Sequence, residues 1–165
     1  MLIEYLNMLQ NNPSLEINRS GQYSTISGIS EAEIQQLEQQ YNGGTPFPKA
    51  LRELLFLAGN SCYVLEYGYK ETNNIQQELQ EEALESIILY NRTFNRPFYV
   101  IESYDGAEII TLAFLDEGDN PMVYTVYLPE LKYDNATAWC TSIGKNLKDF
   151  INTRIDKVKQ GFTPF

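Results

Sequence analysis

Between Gly28 and Ala58 the chain spells out two helices and the break between them, and no other stretch restricts the fold as tightly. Ser30 stands where a helix begins. Glu33, three residues on, can return a hydrogen bond to the Ser30 amide, which makes a capping box, and Ile29 and Ile34 are placed to staple the entering chain. Ile34, Leu37 and Tyr41 then share one face. Gly43-Gly44 supplies the positive-φ backbone that closes a helix end, and Pro46 and Pro48 stiffen the connection. Pro48 suits a first helical turn, after which Leu51, Leu54, Leu55 and Ala58 form a second apolar stripe ended by Gly59-Asn60.

On either side of this hairpin the signals are more ordinary. Leu2, Ile3, Leu6 and Leu9 recur at helical spacing, which predicts an amphipathic helix over the first dozen residues, followed by a polar stretch to Ser27 read as loop or weak strand. CYVLEYGY at 62–69 has strand-forming residues with imperfect alternation. From Asn74, Ile75, Leu79, Ala83, Ile87 and Tyr90 mark a helix, and its charge run, QQELQEEALES, reads as a solvated face. Three strands are expected at PFYVIES, AEIITLAFL and MVYTVYL, joined by short turns and therefore antiparallel. A loop containing Trp139 follows, and Leu147, Phe150, Ile151, Ile155 and Val158 line a last helix. The fold class is α+β: an antiparallel β-meander packed by N-terminal and C-terminal helices, in a single domain over 1–165.

Composition removes whole classes of chemistry. The 165 residues include no histidine and two cysteines, Cys62 and Cys140, so histidine-based relays and a four-ligand zinc site have no material to draw on. Each cysteine adjoins an aromatic residue, and both are expected to be reduced, buried thiols. No cofactor and no metal is expected. DEGDNP at 116–121 lacks the spacing of a calcium loop, and Asp105-Gly106 reads as a turn rather than as part of an acid pair with Glu102 and Glu108. Gly43-Gly44 lacks the companions of a phosphate loop. No apolar run is long enough to span a bilayer and no basic leader opens the chain, so a cytoplasmic protein without a signal peptide is expected.

The formal net charge of −10 disfavours nucleic acid and favours basic partners, and no membrane partner is expected. The charge is uneven. Residues 101–135 carry eight acids against one lysine, whereas residues 136–165 carry five bases against two acids.

The capped helix, the Gly-Gly stop, Phe47-Pro48 and the leucine-rich helix after it resemble the signature of the SUKH superfamily. In that pattern Ile29-Ser30 begins the helix, Ile34, Leu37 and Glu38 are its inward and anchoring positions, Pro48 starts the second helix, and Leu51 and Leu54 continue it. By order of elements the resemblance spans residues 28–158, with residues 1–27 as an N-terminal extension and the segment from Asn60 to Asn95 longer than the compact pattern. The group takes part of its name from a fungal cell-wall synthesis regulator and in bacteria is dominated by immunity proteins.

The resemblance implies a non-catalytic immunity protein that binds and neutralises a cognate toxin of a polymorphic or contact-dependent system, often a nuclease. Charge suggests how: an acidic surface fills the basic cleft that would hold phosphates. The acids expected to make this contact are Glu102, Asp105, Glu108, Asp116, Glu117 and Asp119, with Tyr67 and Tyr69 as aromatic anchors. A homodimer is compatible with the sequence. The alternative is a regulatory scaffold like the fungal relatives, and a third class, a carboxylate-only hydrolase, would need two acids paired in a pocket.

Overall fold

The computed structural model describes residues 1–17, 19–68, 74–104, 106–129 and 139–165. Its elements run α1 (Asn7–Gln10), β1 (Ser14–Ile17), β2 (Gln22–Thr25), α2 (Glu31–Tyr41), α3 (Lys49–Ala58), α4 (Ile75–Leu89), β3 (Phe98–Tyr104), β4 (Ile109–Phe114), β5 (Met122–Tyr127), β6 (Cys140–Asn146) and α5 (Leu147–Lys159). The fold is α+β. Strands β3-β4-β5-β6 form an antiparallel meander in chain order, and β1 and β2 form a separate hairpin with Leu15 opposite Ser24.

The helical hairpin forms as its local signals require. The Ser30 hydroxyl accepts from the Glu33 amide at 3.2 Å while the Glu33 carboxylate accepts from the Ser30 amide at 2.8 Å. These bonds hold the Glu33 carboxyl below its ordinary range, the side-chain bond with Ser30 contributing most. Gly43 and Gly44 have φ of 58° and 82°, the left-handed backbone that ends α2. Gly28 is fixed for another reason. A Cβ there would collide with the Phe56 carbonyl of α3, because Ile29 donates to the Leu55 carbonyl at 3.0 Å and brings the two backbones together.

α3 lies at the centre of the molecule. Ala50, Leu51, Leu54, Leu55 and Ala58 are all buried, and so is Glu53. The Glu53 carboxylate accepts the backbone N–H groups of Glu4, Tyr5 and Leu6 at 2.8, 2.9 and 2.8 Å. This corrects the expected N-terminal helix: helix is confined to Asn7–Gln10, because the amides before it turn to a carboxylate from another element. Leu6 and Leu9 still reach the core, whereas Leu2 is exposed.

Two further differences are non-local in origin. Residues 62–68 form no strand, but Cys62, Tyr63, Val64, Leu65 and Tyr67 are buried, and Glu66 offers its carbonyl to the Ser103 amide at 3.0 Å. Beyond Trp139 the expected loop is strand β6, which pairs with β5 through a bulge where Gly144 adopts φ of 74°.

α4 covers the outer edge of β3. The Gln80 side-chain amide donates to the Val100 carbonyl and accepts from the Val100 amide, both at 2.9 Å, so one buried side chain takes the place of a neighbouring strand. Gln76 works alongside it, donating to the Gly59 carbonyl at 2.7 Å and accepting from the Tyr99 hydroxyl at 3.1 Å. On the other side of the molecule α5 packs against α1, α3, β1, β5 and β6.

Replacing Glu53 by alanine should lower the free energy of unfolding in urea by about 2–4 kcal/mol, because three amides, that of Leu6 fully buried, lose their carboxylate acceptor. Hydrogen exchange at the amides of residues 4–6 should rise more than exchange in the sheet.

Candidate partner-binding surface

The acids clustered in sequence between residues 101 and 119 separate into three environments. Glu102, on β3, is fully buried. Its carboxylate meets the Arg154 guanidinium of α5 through two nitrogens, with Nη2 at 2.8 Å from Oε1, and accepts from the Tyr104 hydroxyl at 2.9 Å. Arg154 also donates to the Val64 carbonyl at 2.7 Å and lies over the Phe150 ring, 4.2 Å from its centroid. Burial alone would lower the Arg154 pKa, but the Glu102 hydrogen bonds and charge hold it above its ordinary value. Burial, reinforced by Glu102, pushes the Tyr104 hydroxyl up as well. Glu102 is therefore an internal tie between sheet and helix, and the expectation of a surface contact is corrected.

Asp116 and Glu117 sit in the β4–β5 turn under Arg96. The guanidinium binds Asp116 through two nitrogens, with Nε at 3.0 Å from Oδ2, reaches Glu117 at 2.9 Å, and stacks 4.2 Å from the Phe114 centroid. Glu117 further accepts from the Tyr124 hydroxyl at 2.9 Å and the Met122 amide at 3.2 Å. The hydrogen bonds from Arg96 hold the Asp116 carboxyl below the usual aspartate range and raise Arg96 in turn. Asp119 completes the junction: its carboxylate lies 3.4 Å from Lys49 Nζ, and its carbonyl accepts the Ala50 amide at 2.9 Å. Asn120 and Pro121 accept the amides of Lys148 and Leu147 at 3.0 and 2.8 Å. One turn thus anchors the first residues of both α3 and α5, while Asp116 and Asp119 keep about half of their side-chain surface in solvent.

Glu108 is exposed and accepts from the Tyr90 hydroxyl at 2.6 Å, beside the end of α4. Tyr67 is buried, its hydroxyl donating to the Ala58 carbonyl at 2.8 Å, and burial drives its pKa far up. It cannot serve as a surface anchor, which corrects that expectation. Asp105 and Tyr69 lie outside the described residues.

Cys62 is buried and Cys140 half-buried, and both are free thiols, with burial pushing Cys62 up to about 12. A thiol held there stays protonated at neutral pH. Among the described residues no group of three or more acidic or cysteine side chains could hold a metal ion, and no helix is long and apolar enough to cross a membrane.

A capped helix, a glycine stop, a buried second helix, an antiparallel meander and a closing helix occupy the same stretch that a family model matches. That model describes the SMI1 / KNR4 family (SUKH-1) and covers residues 28–153, more than half of the chain. The protein belongs to this family. No curated protein and no solved structure matches the chain. Membership of SUKH-1 supports an immunity-protein or SMI1/KNR4-like role. The matched stretch opens at Gly28, the residue wedged against α3, and ends inside α5 next to Arg154.

Within this SUKH-1 chain, one surface escaped the sequence reading. The outer side of α4 exposes Leu84, Ile88 and Leu89, of which only Leu84 falls within the charge run at 76–86. The signal was the triplet Ile87-Ile88-Leu89. With Ile87 turned inward, a period of 3.6 residues cannot bury the two that follow it.

Arg154→Met should destabilise the fold by about 3–5 kcal/mol, since it leaves a buried carboxylate without its counter-charge; chemical denaturation reads this directly. Asp116 should titrate, by carboxyl-carbon NMR, below the ordinary aspartate midpoint, and Arg96→Gln should return it upward. Because the folded pKa is the lower one, the stabilisation from this pair is present above the unfolded pKa and disappears as pH falls through the folded value.

Proposed function

We propose that the protein is an immunity protein that binds a cognate bacterial toxin and neutralises it by covering a basic active-site cleft, as in a nuclease. The observation that carries this reading is a net charge of −10 on a member of the SUKH-1 family. A cleft built to hold phosphates presents cations, and an acidic protein both steers toward it and fills it. Glu108, Asp116, Glu117 and Asp119 contribute to that field from the surface, although the last three are also committed to Arg96 and Lys49. Neutralisation of this kind requires no catalytic group and no cofactor from the immunity protein, and the partner meets it in the cytoplasm.

Co-expression with the toxin domain encoded beside its gene should restore growth and give a complex stable on a sizing column. Glu108→Lys combined with Asp119→Lys should slow association roughly tenfold at low ionic strength, with the difference shrinking as salt screens the charges. Failure to rescue cells from a toxin shown to be active would overturn the immunity reading in favour of a regulatory scaffold that binds endogenous proteins.

A further inference from the structure

Helix α4 has two faces with opposite assignments. Gln76, Leu79, Gln80, Ala83 and Ile87 point inward, where the two glutamines bind Gly59, Tyr99 and Val100. Outward, at the complementary helical spacing, stand Glu81, Leu84, Glu85, Ile88 and Leu89. Ile88 and Leu89 expose 72% and 74% of their surface and Leu84 37%. Isolated exposed leucines need no explanation, but three apolar side chains on adjacent turns of one helix form a stripe.

The charge around the stripe has one sign. Residues 75–89 contain four glutamates and neither lysine nor arginine, and the last turn carries no basic residue. The negative end of the helix dipole therefore adds to the carboxylates. Exposed Glu108, held by Tyr90, lies just past that end. The next cation along the chain, Arg92, is turned over the Trp139 ring at 5.3 Å.

We infer that the outer face of α4 is a docking surface for a basic amphipathic helix of a protein partner, whose apolar side chains cover Leu84, Ile88 and Leu89 while its lysines or arginines meet Glu81, Glu85 and Glu108. A straight ridge of side chains two turns long matches the grooves of another helix. A second copy of this chain is the wrong occupant: pairing two such faces would set Glu81 and Glu85 against the same carboxylates. The inference deepens the reading above, from which it takes only that the partner is a protein.

A synthetic helical peptide with one leucine face and one lysine face, and a scrambled peptide of the same composition, separate this docking from general attraction to an acidic protein. The wild-type protein should bind the amphipathic peptide about tenfold tighter than the scrambled one. Ile88→Ser with Leu89→Ser, which changes two exposed side chains, should remove that preference without altering the melting temperature. Glu81→Lys with Glu85→Lys should weaken binding by about tenfold at low salt, and charge reversal at the remote Asp156 of α5 should not. Equal binding of the two peptides, equal losses from the α4 and Asp156 reversals, or a wild-type dimer that the serine variant converts to monomer would overturn the inference. In cells carrying the neighbouring toxin, wild-type rescue that the α4 variants lose supports it, and undiminished rescue by those variants overturns it. If the wild type fails to rescue but the peptide preference holds, the immunity reading fails and the docking face stands.

Discussion

A helix surrounded on nearly every side must find partners outside itself for its end groups and its buried polar side chains, and α3 imposes that requirement on the whole molecule. Its Glu53 gathers the amides of residues 4–6, and its Ala50 amide finds the Asp119 carbonyl. Its last turn receives the Ile29 amide at Leu55 and the Tyr67 hydroxyl at Ala58, and Gln76 takes the Gly59 carbonyl just beyond. The N-terminal segment, the entry to α2, the stretch after α3, α4 and the β4–β5 turn are therefore each attached to the same short helix. Buried groups without such partners would cost on the order of 1–3 kcal/mol apiece, comparable to a large part of a domain's stability.

Buried glutamates recur as the device that meets this requirement. Glu38 accepts the Phe47 amide at 2.8 Å with Arg52 at 3.5 Å, Glu53 holds the first residues, and Glu102 holds Arg154. Each fixes a segment that has no regular hydrogen-bond ladder of its own or joins two elements far apart in sequence. The acidic composition that looks from outside like a uniform field is thus divided between internal fasteners and surface charge. A carboxylate serves well inside because it accepts several N–H donors at once.

That division explains which features the sequence disclosed. Signals that act within four residues were legible: the Ser30–Glu33 box, the Gly43-Gly44 stop, the three meander strands and the last helix all appear where periodicity and turn chemistry put them. Signals that depend on a distant partner were not. The helical spacing of Leu2 to Leu9 could not reveal a carboxylate waiting on α3, and the polar run of β6 becomes a strand because β5 offers it a ladder. The candidate site suffered most from this limit. Glu102 and Asp116 are both acids of one charged segment in the sequence, yet the first is matched to an arginine 52 positions away and buried, while the second lies at the surface.

The two hydrogen bonds between the Gln80 side chain and the Val100 backbone have an evolutionary reading. Because that side chain seals the edge of β3, the inward residues of α4 are tied to the sheet and poorly free to change. The outward residues touch little, and surface substitutions of that kind usually alter stability by less than about 0.5 kcal/mol. With the docking face inferred above, one helix would separate persistence of the fold from choice of partner: its outer side chains could be exchanged, and the architecture underneath would register almost none of it.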